Sequence, residues 1–250
     1  MSIRRKFCAG LAAMLAATGV TVVATPNWTP AAAALPGCLA GDAQFKGSMG
    51  GKPLNKPMVA IVPTASGSGY WTVAADGGVF AFGDAVPPAD NPLPAMAARG
   101  QLQQPVVEAT RIGATGLLLI AGDGGVFALG GAPFYGSMGG KPLNKPMVDI
   151  VPSPTGRGYA TVAADGGVFA FGDFTPPASN PLPGMSARGE LRAPVNSAAR
   201  DGSGYGLLLT AGDGGVFALG GAAFRGSAAN LTLAKPISGI AADPKGNGYW

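Results

Sequence analysis

The chain has 250 residues, of which 42 are Gly, 23 are Pro, 47% are apolar and only 12% are charged. It carries a formal net charge of +4 and contains 2 Cys and no His. The apolar content is enough to bury a core, which argues against disorder despite the abundant Gly and Pro. The absence of His excludes Ser-His-Asp and Cys-His catalysis, His-ligated zinc and His proton relays.

The N-terminal segment has the pattern of a secretory signal peptide. Residues 1–6 are basic, residues 7–25 are apolar or small, and the small-residue region that follows ends at Ala34. This order predicts export with cleavage after Ala34, or alternatively after Ala24. An uncleaved membrane anchor is the competing interpretation, but the apolar segment is short and weakly hydrophobic for a span. We therefore expect a secreted protein, extracellular or associated with the cell envelope, with no transmembrane span after cleavage.

Cleavage divides the chain into a signal peptide, residues 1–34, and a repeat domain, residues 35–250. Arg4, Arg5 and Lys6 leave with the signal peptide, so the remaining basic residues almost balance the 13 acidic ones. No two Lys or Arg residues are adjacent after Lys6, which excludes a basic patch for nucleic acid.

Cys38 is the one cysteine left after cleavage. It is a free thiol, an intermolecular bridge or, within Leu35-Pro-Gly-Cys38, a lipid attachment point. An intramolecular disulfide is excluded in each case.

An internal repeat fills the rest of the chain. Gly47–Asp84 and Gly136–Asp173 align without gaps and differ at only six positions. Pro88–Phe134 and Pro177–Phe224 form a second related pair. The hexapeptide Asp-Gly-Gly-Val-Phe-Ala marks a finer unit of about 45 residues, beginning at Asp76, Asp123, Asp165 and Asp213. A period of this length is typical of repeat architectures, including propellers.

Each unit predicts four short strands and no helix. Val73–Phe82 is a hairpin pattern around an Asp-Gly-Gly turn, and Met58–Val62 is an apolar run that ends at Pro63. The run Ala132–Ser137 predicts a fourth, edge strand, where Pro is tolerated. Four strands in 40–50 residues is the size of one propeller blade.

Counting the runs predicts five blades. The inner-strand run lies near Val59, Val106, Val148, Val195 and Ile237. The outer-strand run lies at Ala43–Ser48, Ala85–Asp90, Ala132–Ser137, Phe174–Ser179 and Ala222–Ser227. We expect an all-β, five-bladed β-propeller whose closing blade is shared by the N- and C-termini, and a monomer, since closure removes sheet edges. The alternative is an open array whose partner blades lie in another chain.

The repeat resembles a known one. Gly-Tyr-Trp-Thr-Val-Ala-Ala-Asp-Gly-Gly-Val-Phe-Ala-Phe-Gly-Asp at 69–84 and Ala-Pro-Phe-Tyr-Gly-Ser at 132–137 resemble units of exported actinobacterial repeat proteins. The resemblance covers nearly all of residues 40–250 and implies a secreted or surface protein. Val126–Gly131 is similar to the diglycine end of a kelch strand. The blade count is similar to that of five-bladed, tachylectin-type lectin propellers.

Recurring aromatic residues are the first candidate binding groups. Tyr70, Trp71 and Tyr159 follow a Gly turn and could either stack on sugar rings or pack between blades. Trp71 is the better functional candidate, because its equivalent Ala160 suggests that folding does not require a large ring there.

Recurring cations are the second set of candidate binding groups. Lys52 and Lys141 flank Pro-Leu-Asn in two copies, with Lys56, Lys145 and Lys235 nearby, while Arg99 and Arg188 each stand in Ala-Arg-Gly. Either these side chains form a ring of cations on one face of the propeller, or they are ordinary solvated charges on loops.

The sequence carries little that indicates catalysis. The repeated Asp of Asp-Gly-Gly is explained by turn chemistry rather than by a calcium site, which needs several converging oxygens. Asp84 and Asp173 are the best carboxylates for a glycosidase pair, but two blades separate them. We therefore expect no catalytic residue, metal or cofactor, and a module that binds glycan or protein at the cell envelope. The alternative function is a secreted hydrolase acting on cell-wall or extracellular polysaccharide, and a purely structural envelope component is a third possibility.

Overall fold

The computed structural model describes residues 44–202 and 204–250. The predicted signal peptide and Cys38 lie outside the described residues. The chain divides into two compact units, one of residues 1–45 and 49–53 and one of residues 46–48 and 54–250. In the described part of the first unit, the Lys52 amide donates to the Met49 carbonyl at 3.0 Å. All strands and helices named below belong to the second unit.

Among the described residues, twelve strands form four three-stranded sheets, and in each sheet the strands follow one another as an antiparallel meander. Sheet 1 contains β1 (Met58–Pro63), β2 (Gly69–Ala74) and β3 (Val79–Gly83). Sheet 2 contains β4 (Val106–Ile112), β5 (Gly116–Ala121) and β6 (Val126–Leu129). Sheet 3 contains β7 (Met147–Pro152), β8 (Gly158–Ala163) and β9 (Val168–Gly172). Sheet 4 contains β10 (Val195–Arg200), β11 (Leu207–Ala211) and β12 (Val216–Leu219).

Successive sheets pack on one another through their first strands. β1 contacts β4, β4 contacts β7, and β7 contacts β10. A separate apolar cluster fills each of the three junctions between consecutive sheets. The all-β prediction is confirmed, and this sheet-after-sheet packing is that of the blades of a β-propeller.

A backbone hydrogen bond ties each first strand to the sheet before it. The Val106 amide donates to the Ala75 carbonyl at 2.9 Å, and the same bond recurs at the two following junctions. The Ile237 amide repeats it to Gly212 at 3.0 Å, so the segment from Ile237 occupies the position of a fifth first strand. A short hairpin then forms, in which Ala241 and Trp250 exchange both backbone hydrogen bonds. Five complete blades are not confirmed, since this hairpin has no third strand among the described residues.

Tyrosine hydroxyls reinforce these junctions. The Tyr159 hydroxyl donates to the Gly136 carbonyl at 2.6 Å and accepts from the Tyr135 amide at 3.2 Å. Tyr70 makes the same two bonds to Gly47 and Lys46, and Tyr249 makes them to Gly226 and Arg225. Each hydroxyl thus fixes a non-strand segment that lies 23–24 residues earlier in the chain.

The predicted fourth strand is wrong for the described residues. Its four runs after sheets 1 to 4 adopt no strand, and the run at 44–48 adopts none either. Pro87-Pro88 and Pro176-Pro177 interrupt two of these runs, and Pro lacks the N–H that a sheet ladder needs. The outer strands β3, β6, β9 and β12 therefore remain the edges of their sheets.

The prediction that the units contain no helix is also wrong. Two single-turn helices, α1 (Leu93–Ala98) and α2 (Leu182–Ala187), follow the two Asn-Pro-Leu-Pro motifs. The Asn91 side chain donates to the Gly77 carbonyl at 2.7 Å and accepts from the Leu93 amide at 3.1 Å. Gly77 has a φ of +82°, and a Cβ at this position would collide with Leu93. The turn and the helix therefore fit together only with Gly at this position.

Candidate functional site

The Asp-Gly-Gly motif is a turn element, as predicted. The Asp76 carboxylate accepts the Gly78 amide at 3.0 Å, and Asp123, Asp165 and Asp213 repeat this bond to Gly125, Gly167 and Gly215. Across residues 44–202 and 204–250, no three Asp, Glu, Cys or His side chains are grouped to hold a metal. The recurrence of Asp is thus explained by local hydrogen bonding in the turn.

The aromatic candidates are packed inside the sheets or engaged by the backbone. Trp71 is 2% exposed and its indole N–H donates to the Val86 carbonyl at 2.8 Å. Tyr159 is fully buried, and its hydroxyl is committed to the junction bonds described above. Tyr70 is half-buried with the same commitment. These positions give the rings packing roles, and Trp71 offers no open ring face on which a sugar could stack.

The exchange of Trp71 for Ala160 has a structural explanation. Trp71 packs in the junction between sheets 1 and 2 together with the small Ala85. In the junction between sheets 3 and 4, Ala160 is accompanied by the large Phe174, the equivalent of Ala85. Each of these two clusters has one buried aromatic ring, supplied by β2 in the first copy and by the segment after β9 in the second. The premise that folding requires no ring there is therefore wrong.

The candidate cations lie outside the strands and are exposed. Arg99 ends α1, and its side chain donates to the Ala95 carbonyl at 3.0 Å. Arg188 ends α2 and forms a 2.7 Å ion pair with Glu190. Lys52 and Lys141 lie in loop turns whose backbone amides bond to Met49 and Met138. No described contact joins one of these cations to another.

Asp84 and Asp173 cap the first loop of sheets 1 and 3. The Asp84 carboxylate accepts hydrogen bonds from the Ser66 and Thr64 hydroxyls, and these bonds lower its pKa. Asp173 accepts a hydrogen bond from Thr155, and its pKa is lowered likewise. A general acid needs a raised pKa, so neither residue has the environment of the proton donor in a glycosidase pair.

A groove beside β12 in the second unit has a volume of about 840 Å³. One wall is β12 with the Gly turn after it, and the other is the segment from Thr175 to Leu182. The rings of Tyr205, Phe217 and Phe224 line it, and Phe224 is 59% exposed. None of the described residues that line the groove is charged. We call this cavity the β12 groove.

The β12 groove owes its aromatic character to one of the two repeat copies. Tyr205 corresponds to Thr115 in the preceding copy, and its ring meets that of Phe174 edge-on at 5.9 Å. Phe224 corresponds to Phe134, which is 58% exposed. The copies therefore share an exposed Phe, while Tyr205 and Phe174 are specific to the β12 groove and its wall.

A second cavity, of about 300 Å³, lies along the first strands and holds two acidic residues. Glu108 on β4 and Asp149 on β7 line it, with Ser197 and Arg200 on β10. Burial and the charge of Asp149 raise the pKa of Glu108 to about 8. Burial raises the pKa of Asp149 to about 6. These are the most strongly perturbed carboxyl groups in the described chain, and such groups are candidates for functional sites.

The hydrogen bonds of Asp149 indicate a linking role. One carboxylate oxygen accepts the Ile150 amide at 2.7 Å, and the other accepts the Ala198 amide at 2.7 Å and the Ser197 hydroxyl at 3.1 Å. Ala198 and Ser197 belong to β10, so the carboxylate joins sheets 3 and 4. Because both oxygens are engaged by the protein, Asp149 is not placed to act on a sugar. Glu108 likewise accepts the amide of Ala109 at 2.8 Å.

The sequence contained a signal for this acid pair. Asp149 is one of the six differences between the near-identical copies, standing where the first copy has Ala60. It also interrupts the otherwise apolar strand β7. A charged residue within an apolar run indicates a paired or functional group, because burying an unpaired charge is costly. Which residues face each other across sheets still depended on the fold.

Comparison with known proteins does not assign a family. No family model matches the chain, and no curated protein matches it. Among solved structures, it is similar to the β-propeller domain of Cps50 (Swd1) from Myceliophteria thermophila, with 11% sequence identity and a TM-score of 0.36. The similarity covers 62% of this chain and 49% of that one. In the part of the chain described, no helix is long and apolar enough to span a membrane.

The ring exchange predicts a compensating pair of substitutions. Phe174→Ala is expected to lower the free energy of unfolding by about 3–5 kcal/mol, because it leaves a cavity beside Ala160. Adding Ala160→Trp recreates the arrangement of sheet 1 and is expected to recover part of that loss. Urea denaturation measures both, with Phe134→Ala as a control that removes an exposed ring. A double variant no more stable than Phe174→Ala contradicts the exchange.

The acid pair predicts that stability falls as pH rises. A carboxyl whose pKa is raised on folding stabilises the folded state fully below its unfolded pKa and loses this as pH rises through the folded value. The window is therefore about pH 4 to 6 for Asp149 and about pH 4.5 to 8 for Glu108. Glu108→Gln is expected to flatten this decline and to raise stability at pH 8 by about 2–4 kcal/mol.

Urea denaturation at pH 5 and pH 8 measures this difference. Glu190→Gln is the matched control, because Glu190 is an exposed side chain and its pKa is lowered by Arg188. A Glu108→Gln variant that keeps the parent's full pH dependence contradicts a buried, protonated Glu108.

Proposed function

We propose that the chain is an exported, non-enzymatic repeat protein that binds a neutral glycan of the cell envelope in the β12 groove. The observation that supports this most is the groove itself. It combines three aromatic rings with an uncharged lining, and its volume of about 840 Å³ is in the range of small-molecule sites.

The chemistry of the β12 groove suits a sugar better than a charged ligand. The C–H face of a pyranose packs on an aromatic ring, and Phe224 presents an exposed ring for this contact. The Tyr205, Thr175 and Ser179 hydroxyls add hydrogen-bonding groups to the lining. An anionic or cationic ligand would lose its hydration without meeting an opposite charge.

The carboxyl groups give less support to a hydrolase. Asp84 and Asp173 are held by loop hydroxyls, and Asp149 is held by backbone amides. None of these three residues lines the β12 groove. Binding without chemistry is therefore the function that this arrangement favours.

Export rests on the N-terminal pattern and on the resemblance to exported repeat proteins. N-terminal sequencing of protein recovered from the medium of a secreting host is expected to begin at Leu35. A start at Met1 on a membrane-bound product contradicts export by cleavage.

Glycan binding is tested with a panel of neutral oligosaccharides of glucose, mannose, galactose and N-acetylglucosamine. A sugar that binds is expected to show saturation-transfer signals from the protein, and Phe224→Ala is expected to weaken it about 5–10-fold, since one ring contact is worth about 1 kcal/mol. Phe134→Ala is the matched control, because it removes the equally exposed ring of the preceding copy. Absence of binding across the panel, or equal loss in both variants, overturns the proposal.

A further inference from the structure

Sheets 1 and 3 have nearly the same sequence but not the same exposure. Ile61 on β1 is 66% exposed, whereas the equivalent Ile150 on β7 is 2% exposed. Met58 is half-buried, whereas Met147 is 1% exposed. Apart from Ala60, which Asp149 replaces, the two first strands have the same sequence, so the difference in exposure reflects what packs on each sheet.

Sheet 2 accounts for the burial of Ile150. In the junction between sheets 2 and 3, Ile150 and Met147 pack against Ile112, Leu118 and Ile120 of sheet 2. β1 has no such neighbour, because among the described strands it packs on β2 and β4. We call the corresponding surface, formed by Met58, Ile61 and Tyr70, the sheet 1 face. Its sequence is that of a surface which this chain buries under another sheet.

The C-terminal hairpin has the opposite feature. Trp250 follows Gly-Tyr as Trp71 does, yet Trp250 is 78% exposed and Trp71 is 2% exposed. Trp71 is buried because it packs against Leu117 and Leu119 of the sheet that follows it. The hairpin is attached to the sheet before it by the Ile237 backbone bond. The other side of the hairpin therefore exposes the Trp250 ring, at the position where the Trp71 ring is covered by the next sheet.

We propose that the sheet 1 face of one copy of this chain binds the Trp250 side of the C-terminal hairpin of a second copy. Among the described residues no sheet packs on either surface, so together the two surfaces form the kind of junction that consecutive sheets of this chain form three times. Met58–Pro63 contains no charged residue, so a second copy meets no buried charge on this strand.

The contact joins two different surfaces and is therefore head-to-tail. Such contacts build rings or open chains rather than closed dimers. The expectation of a monomer gives way here to the alternative of partner blades in another chain. The glycan proposal involves other residues, since the β12 groove is lined by sheet 4 and by the segments that adjoin its strands.

Sedimentation velocity of the full chain from about 1 to 100 μM tests this proposal. The parent is expected to show a mass that rises with concentration beyond that of a dimer. Ile61→Asp and Trp250→Ala are each expected to sediment as monomers, and both side chains are exposed, so folding should persist. Circular dichroism checks the fold. Val86→Asp is the control, because Val86 is also 66% exposed but lies outside both surfaces.

Mixing the two variants identifies the geometry. Ile61→Asp retains an intact hairpin and Trp250→Ala retains an intact sheet 1 face, so an equimolar mixture is expected to form a dimer that cannot grow. A monomeric parent at every concentration overturns the proposal, as does closure of the two surfaces within one chain, which also gives a monomer. Association that both variants retain, or monomers that mixing does not convert to dimers, overturns it equally.

Discussion

The three-stranded sheets of this chain carry apolar side chains on both faces. At each of the three junctions between consecutive sheets, the facing surfaces bury these side chains in a separate apolar cluster. Very short sheets gain little from their own strand pairing. Stability therefore comes from the junctions between sheets, and a sheet that lacks a neighbour exposes apolar side chains.

The junction explains why near-identical copies differ at particular positions. The buried aromatic ring is Trp71 in the junction between sheets 1 and 2 and Phe174 in the junction between sheets 3 and 4. Phe174 also packs against the Tyr205 ring, which lines the β12 groove. The substitution that repacks a core thus has a consequence at a candidate binding site. Asp149 is a comparable case, since it replaces Ala60 and links two sheets through the Ala198 amide.

Local patterns predicted the local structure. The repeat period, the apolar runs and the Asp-Gly-Gly turns specify the strands and hairpins, because turn chemistry and side-chain alternation act over a few residues. The predicted fourth strand was wrong in every described run, and in two of these runs the Pro-Pro pairs lack the N–H groups that a strand needs. The helices were missed because a six-residue helix carries no periodicity and here depends on the Asn91 side chain.

The candidate sites were less predictable than the strands. Trp71 looked dispensable because Ala160 replaces it in the second copy. The compensating ring, Phe174, lies in another segment of the chain and joins Ala160 only in the packed core. Glu108 and Asp149 come together across two sheets, so no spacing along the chain indicates their proximity. The β12 groove likewise depends on how one segment passes beside an edge strand. Each of these features is a property of the junctions rather than of the repeat sequence.

Neighbouring sheets, rather than the sequence of the repeat, decide which of its residues are buried. Solvent paramagnetic relaxation enhancement of the isoleucine δ1 methyl groups, in a sample dilute enough to be monomeric, tests this directly. A soluble paramagnetic probe is expected to broaden the Ile61 methyl strongly and to leave the Ile150 methyl almost unchanged. Equal protection of the two methyl groups would contradict it, because sheet 1 would then be covered as sheet 3 is.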